Sequence, residues 1–160
     1  MNGDILLSLL RGGFFLHTTI MAPKLCFKQV GLYDESLCYA EDYDMNLRLA
    51  KFYPFMCVSE PLYGYRLHSG NTERRLSRRV VSGYKAVVLE GHLKINRTSL
   101  DSSERKRLVR RIFRSYVAAR RYDKVLEYSL KYNENLMSLV PPLLGKWILG
   151  SHRQTQNVGR

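Results

Sequence analysis

The chain has 160 residues, 45% hydrophobic and 25% charged, a balance that suits one ordinary globular domain and excludes a disordered polyelectrolyte. It has no apolar run near the roughly 18 residues of a membrane-spanning helix, and Met1-Asn2-Gly3-Asp4 lacks the basic residues that open a cleavable signal peptide. The net charge of +12 is uneven: residues 1–72 net −1 and residues 73–160 net +13, which places a boundary near Asn71-Thr72-Glu73.

Gly3 to Leu10 reads as a short amphipathic helix ended by Gly12-Gly13. Phe14 to Met21 is rich in aromatic and β-branched residues and reads as a strand. Pro23 to Val30 forms a short helix before a turn at Gly31, and Tyr33 to Ser36 is a polar loop. The spacing of Met45, Leu49 and Phe52 predicts a helix over Glu41 to Phe52, stopped by Pro54. Phe55 to Val58 and Leu62 to Leu67 read as two short strands around Glu60-Pro61, followed by a turn at His68 to Asn71.

Beyond the boundary the pattern is helical. Leu76, Val80, Tyr84, Val87, Val88 and Ile95 form one apolar stripe. Asp101-Ser102-Ser103-Glu104 has the form of a capped helix start. The helix it opens carries Leu108, Val109, Ile112, Phe113, Tyr116 and Val117 on one face, with Arg107, Arg110, Arg111 and Arg114 opposite. Tyr122 to Tyr132 is a further helix, Leu136 to Leu149 is apolar but split by Pro141-Pro142, and Ser151 to Arg160 is a polar end. Cys26, Cys38 and Cys57 show no CxxC spacing, so they read as reduced cysteines behaving as small hydrophobes.

Three motifs then stand in order. Thr18-Thr19-Ile20-Met21 leads to Val30-Gly31-Leu32-Tyr33-Asp34-Glu35; next comes Tyr39-Ala40-Glu41-Asp42-Tyr43-Asp44-Met45-Asn46-Leu47-Arg48-Leu49-Ala50; last is Glu60-Pro61-Leu62-Tyr63-Gly64-Tyr65-Arg66-Leu67-His68-Ser69-Gly70-Asn71. Together they resemble the C-terminal half of the inverting family 2 glycosyltransferases. The resemblance covers about the first 72 residues and implies an α/β fold, part of the doubly wound GT-A domain, followed by an all-α basic extension over residues 73–160. It further implies that the nucleotide-binding half, with its metal-binding Asp-x-Asp, lies outside this chain. Asp42-Tyr43-Asp44 has that spelling but belongs to the Glu-Asp motif.

By the same resemblance, Asp42 is the base that takes the proton of the acceptor hydroxyl, and Glu41 holds or orients the acceptor. A helix N-terminus favours the ionised form of a carboxylate, which suits a proton acceptor. The residue pattern alone is equally that of a favourable acidic first turn. Arg66 and His68 follow the second short strand, where the family closes over the diphosphate. Arg66 is then a phosphate donor, and His68 a phosphate donor or metal ligand. Arg48 is placed to pair with Asp44, four residues earlier. His17 and His92 have no partner evident in the sequence.

The expected donor is a nucleotide diphosphate sugar, the acceptor a glycan, lipid-linked or protein-linked hydroxyl, and the cofactor a divalent metal, Mn or Mg. The basic helices fit a solvated outer face or peripheral contact with an anionic membrane through residues 104–150. No nucleic-acid module is evident, so nucleic acid is not an expected partner. The expected location is the cytoplasm, at the inner face of the membrane. A rival reading is a non-catalytic basic helical module that binds a membrane surface or a partner chain.

Overall fold

The computed structural model describes residues 3–71, 76–96 and 98–132. Among the described residues six α-helices follow in chain order: α1 (Leu6–Arg11), α2 (Lys24–Val30), α3 (Glu41–Phe52), α4 (Arg78–Ile95), α5 (Ser102–Ala118) and α6 (Tyr122–Tyr132). The apolar segment Leu136–Leu149 and the polar end beyond it lie outside the described residues.

The expected α/β fold is overturned. Among the described residues there is no sheet, and the nearest approach to one is a single antiparallel bridge between Gly3 and Phe55. Its two backbone bonds run from Gly3 N to Phe55 O (2.7 Å) and from Phe55 N to Gly3 O (2.8 Å). A strand persists only where a neighbour takes its N–H and C=O groups. In the expected strand Phe14–Met21 the middle of the segment turns on itself instead. His17–Thr19 winds into a 3₁₀ turn, with Thr19 N and the Thr19 hydroxyl both donating to Leu16 O. The expected strands Phe55–Val58 and Leu62–Leu67 remain largely unpaired and outward-facing, with Met56, Val58, Leu62 and Leu67 all exposed. β-Propensity measures fit to a pleated, half-buried surface, and these residues provide no such surface.

The helices follow the sequence more closely. Gly12 ends α1 in the left-handed conformation at φ 114°, with its N–H returning to Leu9 O, a geometry that favours glycine. The α5 start is a full capping box: Asp101 accepts from Glu104 N (2.8 Å), and Glu104 accepts from Asp101 N (3.2 Å). The α5 stripe from Leu108 to Tyr116 is buried as expected. On α4 the buried face is Ala86, Val88, Leu89, His92 and Leu93, while Val87 and Ile95 of the expected stripe face outward.

One apolar core draws on both sides of the charge boundary. Ile5, Leu9 and Leu10 of the N-terminal segment, with Leu47 and Ala50 of α3, pack with Leu89, Ile112, Phe113 and Tyr128 of α4 to α6. A smaller cluster joins Cys26 of α2 to Met45 and Leu49 of α3. Cys38 and Cys57 are exposed, so only Cys26 behaves as a buried hydrophobe.

The α4–α5–α6 layer also buries one polar bond. The Tyr116 hydroxyl donates to Glu90 Oε2 at 2.5 Å, and the Tyr116 and Tyr128 rings meet edge-on at 5.6 Å. Burial pushes the Tyr116 phenol up, and the neighbouring Glu90 carboxylate pushes it further, so it stays a donor at neutral pH. Replacing Tyr116 by Phe leaves Glu90 without this donor and is expected to cost about 2 kcal/mol in chemical denaturation. An unchanged midpoint would show that the bond contributes nothing net.

Candidate carboxylate site at the start of α3

The site is built around the first turns of α3. The helix begins without a side-chain cap. Ala40, which precedes it, is buried and held at φ 68°, ψ 18°. A left-handed alanine costs roughly 1–2 kcal/mol, and such strain persists only where surrounding packing imposes it. Glu41 follows, exposed, and then Asp42, half-buried. Asp42 Oδ1 accepts from Tyr43 N at 2.6 Å. Among the described residues neither Glu41 nor Asp42 forms an ion pair.

The four polar residues next along the helix tie it to five other parts of the fold. The Tyr43 hydroxyl donates to Leu9 O (2.8 Å) at the end of α1. Arg111 of α5 donates to the same carbonyl, to Leu10 O (2.6 Å) and to the Tyr43 oxygen (3.0 Å), so α1 ends on a cation where its dipole favours one. Asp44 accepts from His92 Nε2 of α4 (3.0 Å) and from Arg48 Nε (2.8 Å). Arg48 continues to the Val30 and Gly31 carbonyls after α2 (2.8 and 3.0 Å). His17 Nδ1 donates to Asn46 Oδ1 at 2.6 Å, and the Tyr33 hydroxyl donates to His17 Nε2.

Electrostatics follow from this geometry. Burial pushes the Asp44 carboxyl up, but the His92 hydrogen bond and the Arg48 guanidinium outweigh it and hold Asp44 below its ordinary value. Asp44 is therefore a fixed anion inside the fold. Burial raises the Tyr33 phenol, and the Asp42 and Glu41 carboxylates raise it further, so Tyr33 stays a donor to His17 at neutral pH.

The residues named from sequence divide into two groups. Glu41 and Asp42 share the end of α3. Arg66 and His68 sit on the exposed segment after Phe55, whose hydrogen bonds close on themselves. Asn71 accepts from His68 N and donates to the Tyr65 hydroxyl and Arg66 O, and His68 Nδ1 accepts from Gly70 N (3.1 Å). No hydrogen bond among the described residues joins this segment to Glu41 or Asp42. Nor does any group of three or more His, Cys, Asp and Glu gather among them. His68 thus gives its Nδ1 to its own turn.

The Arg48–Asp44 pair is where the four-residue spacing places it. Sequence reasoning missed His17, His92, Asn46 and Tyr33. Their partners lie 16 to 48 residues away, beyond any local spacing rule. No family model matches the chain, and neither a curated protein nor a solved structure matches it.

Proposed function

We propose that the chain supplies the acceptor side of an inverting glycosyl transfer from a nucleotide diphosphate sugar. Asp42 is the general base and Glu41 orients the acceptor hydroxyl. The observation that carries this reading is the contrast within α3. Asp44 is fully engaged by His92 and Arg48, whereas Glu41, exposed, and Asp42, half-buried, on the same first turn, form no ion pair among the described residues. A helix pinned at Tyr43, Asp44, Asn46 and Arg48 holds its leading carboxylates in a fixed position, which proximity catalysis requires.

The chemistry is a single displacement. The acceptor oxygen attacks the anomeric carbon from the face opposite the leaving nucleoside diphosphate. Asp42 takes the acceptor proton as the new C–O bond forms and the bond to the diphosphate breaks. The Tyr33 hydroxyl, kept protonated, stays committed to His17 and holds the turn that anchors Asn46 of the same helix. Binding of the nucleotide, and charge stabilisation on its diphosphate, belong in this proposal to a nucleotide-binding half supplied from outside these 160 residues, together with its divalent metal.

The test supplies the chain with the nucleotide-binding half of a family 2 enzyme and follows nucleoside diphosphate release from UDP- and GDP-sugars with glycan and lipid-linked acceptors. Release that needs both the chain and its Asp42 supports the proposal. Release indifferent to Asp42, or none with any donor, leaves a non-catalytic basic helical module.

A further inference from the structure

A second feature lies away from the carboxylates. Between α1 and α5 runs a cleft of about 520 Å³, within the range of ligand-sized sites. Its floor is apolar, made by Leu7, Leu10, Leu100 and Leu108. Its rim is basic, and the contributing groups differ in what they already do. Arg111 is spent on the Leu9 and Leu10 carbonyls, and Arg11 pairs at 3.2 Å with Glu104, the one acid among the described residues of the lining. Arg107 and Arg114 are exposed and make no hydrogen bond or ion pair among the described residues, the Arg107 charge acting only at longer range on the Asp101 carboxylate. Seven residues apart on α5, they stand about 10 Å apart along the rim.

Two exposed guanidinium groups with no hydrogen-bonded partner among the described residues suit an anion, and guanidinium suits phosphate. A leucine floor under them calls for hydrocarbon. An occupant with both features is an amphiphile with a phosphate head. The +13 net charge of residues 73–160 draws such groups to this side of the sequence, and no described helix is long and apolar enough to cross a bilayer. We propose that the α1–α5 cleft seats the phosphate headgroup and upper acyl chain of an anionic phospholipid at a bilayer surface. Arg107 and Arg114 hold the phosphate, and Leu7, Leu10 and Leu108 receive the first methylenes. A nucleic acid fits less well, because the leucine floor offers its sugars and phosphates nothing. The inference is independent of the Asp42 chemistry, and failure of either leaves the other standing.

The test is co-sedimentation of the full chain with vesicles of phosphatidylcholine alone and of phosphatidylcholine mixed with phosphatidylglycerol. Binding is expected to the mixed vesicles only. Arg107→Glu with Arg114→Glu is expected to weaken it about thirtyfold or more, from two lost basic contacts at the surface. Lys24→Glu with Lys28→Glu makes the same change of charge on exposed α2 positions, outside the cleft lining, and is expected to cost less than about threefold. Arg107→Gln with Arg114→Gln gives a milder pair should charge reversal disturb the helix, and circular dichroism checks the folding of each. Equal losses from the cleft and α2 pairs would show attraction by net charge alone and overturn the assignment. So would binding of inorganic pyrophosphate or RNA without binding of mixed vesicles.

Discussion

Replacing Asp44 by Asn is expected to destabilise the fold by about 3 kcal/mol in chemical denaturation, because removing one member of a buried pair strands the other. The side chains of Asp44 and Arg48 are 16% and 19% exposed, and His92 is 3% exposed. An amide presents one oxygen where the carboxylate presents two, so either Arg48 Nε or His92 Nε2 loses its acceptor. Arg48 keeps the Val30 and Gly31 carbonyls, which limits the loss. His92 has no second partner, since its Nδ1 is buried without one among the described residues. The pH dependence has a definite sign. The folded Asp44 value lies below the ordinary 3.8, so its stabilisation is present above that value and is lost as pH falls through the lower folded value. The wild-type chain is therefore expected to lose more stability than Asp44→Asn as pH drops below about 4. Parallel acid profiles would remove Asp44 as the anchor of α3.

The second large effect is on rate. Asp42→Asn is expected to lower sugar transfer by about 10²- to 10⁴-fold, the span over which general bases act. Its stability is expected to stay close to wild type, because the bond Asp42 makes is to the adjacent Tyr43 N–H. An asparagine oxygen still accepts that bond but takes no proton at neutral pH. Glu41→Gln is expected to raise KM more than it lowers kcat, as befits a residue that orients the acceptor. The contrast with Asp44 is the informative part. Two carboxylates two residues apart are expected to separate, one in rate and one in stability. Loss of both properties in both variants would reduce Asp42 to part of a structural acidic turn.

How much of this was legible in the sequence follows from the range of each interaction. The Glu41–Phe52 and Tyr122–Tyr132 bounds, the α5 stripe, the Asp101–Glu104 cap and the Arg48–Asp44 pair were all readable, since each is set within one or two helical turns. The buried face of α4 was misread. Val87 and Ile95 fit a helical stripe as well as Ala86 and Leu89 do, and only the position of α5 decides which side is covered. The strands failed for a related reason. Phe14–Met21 and Leu62–Leu67 have strand composition, but pairing is a property of neighbours, and among the described residues only Gly3 and Phe55 pair. The site was half legible. Glu41 and Asp42 were named from the motif around them, while the residues that fix their helix, His17 and His92, lie 29 and 48 residues from their partners and carry no spacing signal.

The proposed transfer is a single displacement at the anomeric carbon with Asp42 as base. Its most direct test is the stereochemistry of the product, read by proton NMR, from an α-linked nucleotide sugar turned over by the chain together with a nucleotide-binding half. Attack from the face opposite the diphosphate yields a β-linked product, formed only while Asp42 is intact. An α-linked product, or a β-linked product formed equally well by Asp42→Asn, would contradict it.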